Sequence, residues 1–325
     1  DIIYYVLDTL RRVQIVIPTN MTFLFDDNLT DRVEELLRSG KVFLSASVDG
    51  KYMQNINRPH KDGLQFTDEM WDKTFSFCKK WGIGFHPMIY SNNIEKWKDN
   101  FLWFMKMFAK YKIDALPSLY LLEVRNPEWS RAQCEGLKKF MKFLTRYVFE
   151  VFAQCDYSRL VDIIYERKGF NILSSPFTTV GRGLGCSIQS TMTVRISDFA
   201  LVPCHRLAYK QFIGGYFKIR NNKIAGVKAH NPYFYSIIKG THQHVFPYCE
   251  RCILNGICSG GCLGAQYEYS GDPFIPIPSV CLMEHAKYLG IFQGFKDVGA
   301  LEYLLEKTSN VKRLKIKNFL EVANG

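Results

Sequence analysis

Seven of the ten cysteines in this chain lie between residues 186 and 281, and their spacing constrains the fold more than any other feature. They read Cys186-x17-Cys204, then Cys249-x2-Cys252-x5-Cys258-x3-Cys262, then Cys281 after 18 further residues. Two thiolates separated by two residues can grip one metal centre from a single turn, and longer gaps let the chain wrap to its other corners. Gly256, Gly260, Gly261 and Gly264 stand among them, where a backbone without Cβ atoms can pass close to a bulky group. A structural zinc ion held by four thiolates is one reading. It leaves Cys186, Cys204 and Cys281 without a task, whereas iron–sulfur ligation uses all seven. Disulfides are a third reading, but Asp1–Leu10 has neither the basic start nor the small-residue cleavage site of a secretion signal.

The first half of the chain has a different texture. Val13–Pro18 is a largely apolar run of the kind found in a buried parallel strand. Val42–Val48, Ile83–Tyr90 and Ile113–Val124 read as three more strands, the last interrupted early by Pro117. Helices are expected over Asp1–Arg12, Asp31–Ser39 (closed by Gly40), Thr67–Trp81 (capped by Thr67, ended by Gly82), Ile94–Tyr111 and Arg131–Ala153. Alternating strands and helices predict an α/β fold with a parallel sheet. Four units are too few to close a barrel. Ligands of such a sheet gather at the C-terminal strand ends, here Thr19-Asn20, Ser47–Gly50, Ser91–Asn93 and Glu123–Asn126. After about residue 170 the pattern shifts to short strands, turns and cysteine loops, followed by helices over Leu282–Phe292 and Ala300–Lys307. Cys78, Cys134 and Cys155 fall in helical patterns and read as buried small hydrophobes.

The cysteine order resembles the SPASM domain of peptide-modifying radical SAM enzymes. The likeness is specific from Cys249 to Cys281 and departs from the family pattern before Cys204. There the family has Gly five residues ahead of the cysteine, and this chain has Phe199. VQIVIPTN and LSASVDG are similar to the third and fourth barrel strands of radical SAM enzymes, and Asn57-Arg58-Pro59 to a segment just after the fourth. The resemblance implies a partial radical SAM (β/α) barrel of parallel strands over residues 1–155. A bridging region over 156–185 would follow, then a Cys-rich SPASM domain with short strands and a helix over 186–295. A helical tail over 296–325 would complete the chain.

It also implies sites. Cys249, Cys252, Cys258 and Cys281 would hold an outer auxiliary [4Fe-4S] cluster, and Cys186, Cys204 and Cys262 an inner one. The stretch before Cys186 contains no further thiol, so the inner cluster's fourth position is either open to substrate or taken by a group such as His205 or a distant cysteine. Asn20, Ser47, Asp49 and Arg58 would surround S-adenosylmethionine. His205 occupies the place where related sulfatase maturases carry a catalytic Asp, so it would act as a base or bond a cluster thiolate. The Cys-x3-Cys-x2-Cys loop and the Gly-Gly-Glu motif of the family do not occur in the chain. The resemblance places both immediately upstream of Asp1, with a third [4Fe-4S] cluster in that loop.

The expected activity is modification of a ribosomally made peptide, for instance by crosslinking. A sulfatase-maturase-like oxidation of Cys or Ser and a non-catalytic iron–sulfur or zinc scaffold that binds nucleic acid remain alternatives. Partners would be a leader-bearing peptide and a reductant such as ferredoxin or flavodoxin, in the cytoplasm, with no membrane. The formal charge of +11 invites nucleic acid as a partner. The basic residues are scattered, however, and clusters such as Lys312–Lys317 read as solvated helix faces. Seven thiolates and two clusters would also add roughly −3 to that charge. The alternating glycines of Gly181–Gly185 lack a following helix and fail as a phosphate loop. Tyr233–Tyr235 and the pair His242 and His244 read as core and surface loop.

Overall fold

Side-chain caps set several helix starts. Thr67 accepts from the Met70 N–H and opens the helix Asp68–Trp81, and Gly82 closes it with φ +63°. Ser130 caps Arg131–Tyr147 with reciprocal bonds to Gln133. Asp26 caps Asp27–Arg38, several residues earlier than the sequence pattern indicates, because its carboxylate accepts from the Leu29 N–H. The structure is a computed structural model. It describes every residue except 1, 10–11, 60, 62, 64, 115–116, 122–128, 166–170, 179–186, 191–192, 222, 241–246, 259 and 325.

The chain forms two compact units, residues 1–122 with 162–173, and residues 123–161 with 174–325. The first contains α1 (Ile2–Thr9), β1 (Ile15–Thr19), α2 (Asp27–Arg38), β2 (Val42–Ala46), α3 (Gln54–Asn57) and α4 (Asp68–Trp81). β3 (Gly84–Phe85), β4 (Met88–Ile89), α5 (Trp97–Tyr111) and β5 (Tyr120–Leu121) follow. β1, β2 and β3 pair in parallel in that order, and β4 pairs in parallel with β5. The expected single strand over Ile83–Tyr90 is thus two, broken at His86-Pro87 where proline offers no N–H. The Ser118 N–H still reaches the Phe85 carbonyl at 2.9 Å, so strand order follows chain order across the break. A closed barrel is not seen among the described residues. VQIVIP is not buried as expected either: β1 is an edge strand, and Val16 is 65% exposed. The core beneath is aromatic, with Phe75 stacked on Phe85 at 4.7 Å and edge-on to Trp103 and Phe108.

The second unit is mostly helical. α6 (Arg131–Tyr147) passes into a π-helical turn, Val148–Phe152, where a continuous helix to Ala153 is expected from sequence. α7 (Tyr157–Tyr165) and α8 (Asn171–Thr178) follow across the boundary of the two units. A four-stranded antiparallel sheet comes next, β6 (Thr193–Arg195), β7 (Ala200–Val202), β8 (Gly215–Arg220) and β9 (Lys223–Ala229), in sequential order. α9 (Pro232–Gly240), α10 (Pro247–Glu250), α11 (Leu263–Ser270), α12 (Pro278–Asp297), α13 (Leu301–Glu306) and α14 (Asn310–Asn324) complete it. α12 is longer than the expected Leu282–Phe292 and takes in Cys281. It lies against α6 so closely that a Cβ on Gly290 would sit 2.5 Å from the Lys138 carbonyl oxygen. Lys312 is buried and the Lys315 ammonium binds the Asn255 side chain at 3.0 Å, so the basic cluster of α14 is not simply a solvated face. No described helix is long and apolar enough to cross a membrane.

Candidate functional site

Four cysteines converge on one cavity. Cys249 leaves α10, Cys252 follows in a turn whose N–H bonds the Cys249 carbonyl at 3.2 Å, and Cys258 closes the next turn onto Leu254. Cys281 enters from the first turn of α12, which Pro278 starts. All four line a cavity of about 50 Å³ together with Gly260, Gly261, Glu284 and His285. Gly260 and Gly261 both have positive φ, +83° and +77°, which an L side chain rarely adopts. Glycine at these two positions lets the loop turn beside the cavity without backbone strain.

Polar groups support the sulfurs. The Leu254 N–H points at Cys252 Sγ (3.4 Å) and the Gly260 N–H at Cys258 Sγ (3.3 Å). Asn255 Nδ2 donates to the Cys249 carbonyl, and Gln266 Nε2 to the Gly260 carbonyl, both at 2.8 Å. Burial pushes the Cys249 thiol up to about 11 and raises those of Cys258 and Cys281. Without a cation these groups hold their protons; a metal centre is what converts such a set to thiolates. Sulfur donors, close-approach glycines and N–H groups aimed at sulfur fit an iron–sulfur cluster. Among the described residues, no three His, Cys, Asp or Glu side chains are drawn together tightly enough for a single metal ion.

Cys262 does not line that cavity. It stands at the N-terminus of α11, and its sulfur receives the Arg206 Nη1 at 3.8 Å. Cys204 lies close enough for the Cys262 sulfur to raise its thiol, although burial is the larger cause. The Arg206 and Leu207 N–H groups pull the other way. Arg206 is held by a forked pair with Glu268, and a Cβ on Gly264 would meet the Arg206 side chain at 2.5 Å. Cys186, the loop Gly181–Gly185, His242 and His244 lie outside the described residues. His205 is exposed, in a 3₁₀ turn opened by Cys204. Arg206 is the group that meets the sulfurs and was not singled out from sequence; its place beside Cys204 is the one signal for it. Glu284 and His285 were also missed, although they follow Cys281 by one helical turn and so share its face.

In the first unit, Asp49 is fully buried. Its carboxylate takes two bonds from Arg58 (2.9 and 3.2 Å) and one from the Met88 N–H (2.8 Å). Burial raises the Asp49 carboxyl, and Arg58 opposes that shift. The Asp49 backbone is fixed by Gln54 Oε1 and Asn100 Nδ2, both at 2.7 Å. Asn20 bonds Thr22 locally, and the Ser47 N–H donates to the Thr19 carbonyl at 2.7 Å. Asp49 and Arg58 are therefore brought together at the end of β2, and Asn20 and Ser47 follow the ends of the paired strands β1 and β2. Of the remaining cysteines, Cys78 and Cys134 are buried as expected, and burial pushes Cys78 up to about 12. Cys155 is instead exposed, with φ +59°, in the turn after the π segment.

No protein-family model matches the sequence, and neither does any curated protein sequence. Solved structures do match. Histidine-tagged anSMEcpe with bound AdoMet aligns over 93% of this chain and 74% of its own, at 16% identity and a TM-score of 0.56. Native anSMEcpe with bound AdoMet and Cp18Cys peptide aligns over 93% of this chain and 78% of its own, with the same identity and TM-score. The structure with the Kp18Cys peptide gives 0.55. The shared feature is the fold, which runs through both units of this chain.

Proposed function

We propose that the chain is part of a radical SAM peptide maturase, with two auxiliary [4Fe-4S] clusters in its second unit. The observation that carries this reading is the division of the cysteines: four line one cavity and two stand apart beside Arg206. Cys249, Cys252, Cys258 and Cys281 would hold the outer cluster, and Cys204 and Cys262, with Cys186, the inner one. In the intact enzyme, bound S-adenosylmethionine and its own cluster would supply a carbon radical that removes hydrogen from a peptide side chain, with the auxiliary clusters accepting the electron.

The chain's own residues bind and orient. The Asp49–Arg58 pair is a positioning element: with Arg58 and the Met88 N–H bonded to its carboxylate, Asp49 holds the end of β2 so that Ser47 and Asn20 can face S-adenosylmethionine. Arg206, steadied by Glu268, sets a positive charge beside the inner sulfurs. Exposed His205 is free to take a proton from a bound peptide. The substrate class is a peptide, as in the neighbours with bound peptide. Cp18Cys in one neighbour favours, as a second reading, oxidation of a Cys or Ser side chain, with His205 as base where the related maturases use Asp. Reductant, peptide leader and a cytoplasmic setting belong to this proposal.

The test is anaerobic reconstitution followed by iron and sulfide analysis of Cys258→Ala, Cys204→Ala and Cys155→Ala. Each of the first two should lose roughly four irons, the content of one cubane, and the third none. Full iron in Cys258→Ala overturns the ligand assignment.

A further inference from the structure

Between Asp198 and Glu250 the chain has no acidic residue, yet it carries seven Lys and Arg. Most of that charge is on one hairpin. β8 and β9 pair antiparallel, and directly opposed residues share a face. One face pairs Tyr216 with Lys228 and Arg220 with Lys223, with Lys218 between them. The other pairs Phe217 with Val227 and Ile219 with Ile224. The apolar face is not covered: Ile224 is 63% and Val227 52% exposed. β9 is the edge of its sheet, so its outer N–H and C=O groups have no strand partner among the described residues.

Lysine on an edge strand can serve merely to prevent aggregation. Two features go beyond that. Arg220 directly opposite Lys223 places like charges together, which destabilises a sheet. Exposed Ile224 and Val227 would promote the pairing that edge lysines discourage. No carboxylate among the described residues pairs with Lys218, Arg220, Lys223 or Lys228.

We propose that the β8–β9 hairpin is a docking edge for an acidic peptide segment, which adds as a further strand beside β9. An added strand sets alternate side chains on opposite faces. The fitting segment therefore alternates acidic residues, on the face of Lys223 and Lys228, with apolar residues that extend the Ile224–Val227 face, and breaks that alternation once, where the hairpin register shifts between Lys218 and Ile219. An extended edge selects a peptide over a nucleic acid or a lipid surface, which neutralise charge but pair with no strand. This deepens the maturase reading by naming the kind of leader that its substrate carries. The test measures binding without reaction, so failure here and failure of the cluster assignment are distinguishable.

The experiment uses the full chain and a fluorescein-labelled peptide of Glu and Val in this once-broken alternation, as long as β9, read by anisotropy at low salt. Binding should weaken by about tenfold or more when Lys218, Arg220, Lys223 and Lys228 are all changed to Gln. It should weaken similarly when alternate peptide nitrogens are methylated, which removes the ladder donors. On binding, the outward amides of β9 should exchange hydrogen more slowly in the unmutated chain, a readout independent of whether the variant folds. The proposal is overturned if the methylated peptide binds as well as the parent, or if the matching Lys-Val peptide does. It is also overturned if an oligo-dT strand or a phosphatidylserine vesicle binds more tightly than the Glu-Val peptide, or if the β9 amides are unaffected.

Discussion

Gly290→Ala should destabilise the second unit, against the usual effect of that change in a helix. Alanine inside a helix is normally favoured over glycine by about 1 kcal/mol. Here the new Cβ would lie 2.5 Å from the Lys138 carbonyl oxygen and 2.8 Å from Met141 Cβ. A backbone carbonyl cannot swing aside, so α12 would have to move away from α6 by several tenths of an ångström. Overpacking of this kind costs about 1–3 kcal/mol, and more when the obstacle is backbone. Set against the propensity gain, the net loss is up to about 2 kcal/mol, or a fall in melting temperature of up to about 6 °C. Because Cys281 is in the first turn of α12, the same displacement should slow cluster loading. The assay is thermal unfolding followed by circular dichroism, together with iron uptake during reconstitution. A variant that melts higher than the parent would refute the reasoning, since it would show that α6 and α12 separate freely.

Other substitutions probe separate parts of the account. Arg58→Met should cost about 3 kcal/mol in urea unfolding, because it leaves the buried Asp49 carboxylate without its cation; Asp49→Asn, which keeps hydrogen-bonding capacity, should cost less. Phe199→Gly should stabilise the chain by about 0.5 kcal/mol, the relief of its φ of +58° exceeding glycine's extra backbone entropy; a loss of thermal stability contradicts this. Burial holds Lys312 down to about 8 in the folded chain. The folded state thus releases a proton before the unfolded state does, and stability should rise as pH increases from about 8 towards the ordinary lysine value. Lys312→Met should remove that rise, as read by urea midpoints at successive pH values.

Local chemistry made part of this structure readable from sequence. Thr67 and Gly82 bound α4 where their capping preferences place them, and Gly40 follows α2 with φ +67°. The grouping of Cys249, Cys252, Cys258 and Cys281 came from family resemblance, and their common cavity arises from pairings distant in the chain. Phe199 shows the limit in the other direction: the departure from the family's glycine was visible, but its left-handed backbone was not. Other features depend on tertiary contacts that leave no local mark. β1 has the composition of a buried strand and lies at an edge. Lys312 has the composition of a surface helix and is buried. Arg206 became legible only when α11 brought Cys262 beside it.

The account turns on what the seven cysteines hold. Anaerobically purified and reconstituted chain should contain roughly eight irons and eight sulfides, two cubanes, and little zinc. One zinc ion per chain, with neither iron nor sulfide, would contradict it.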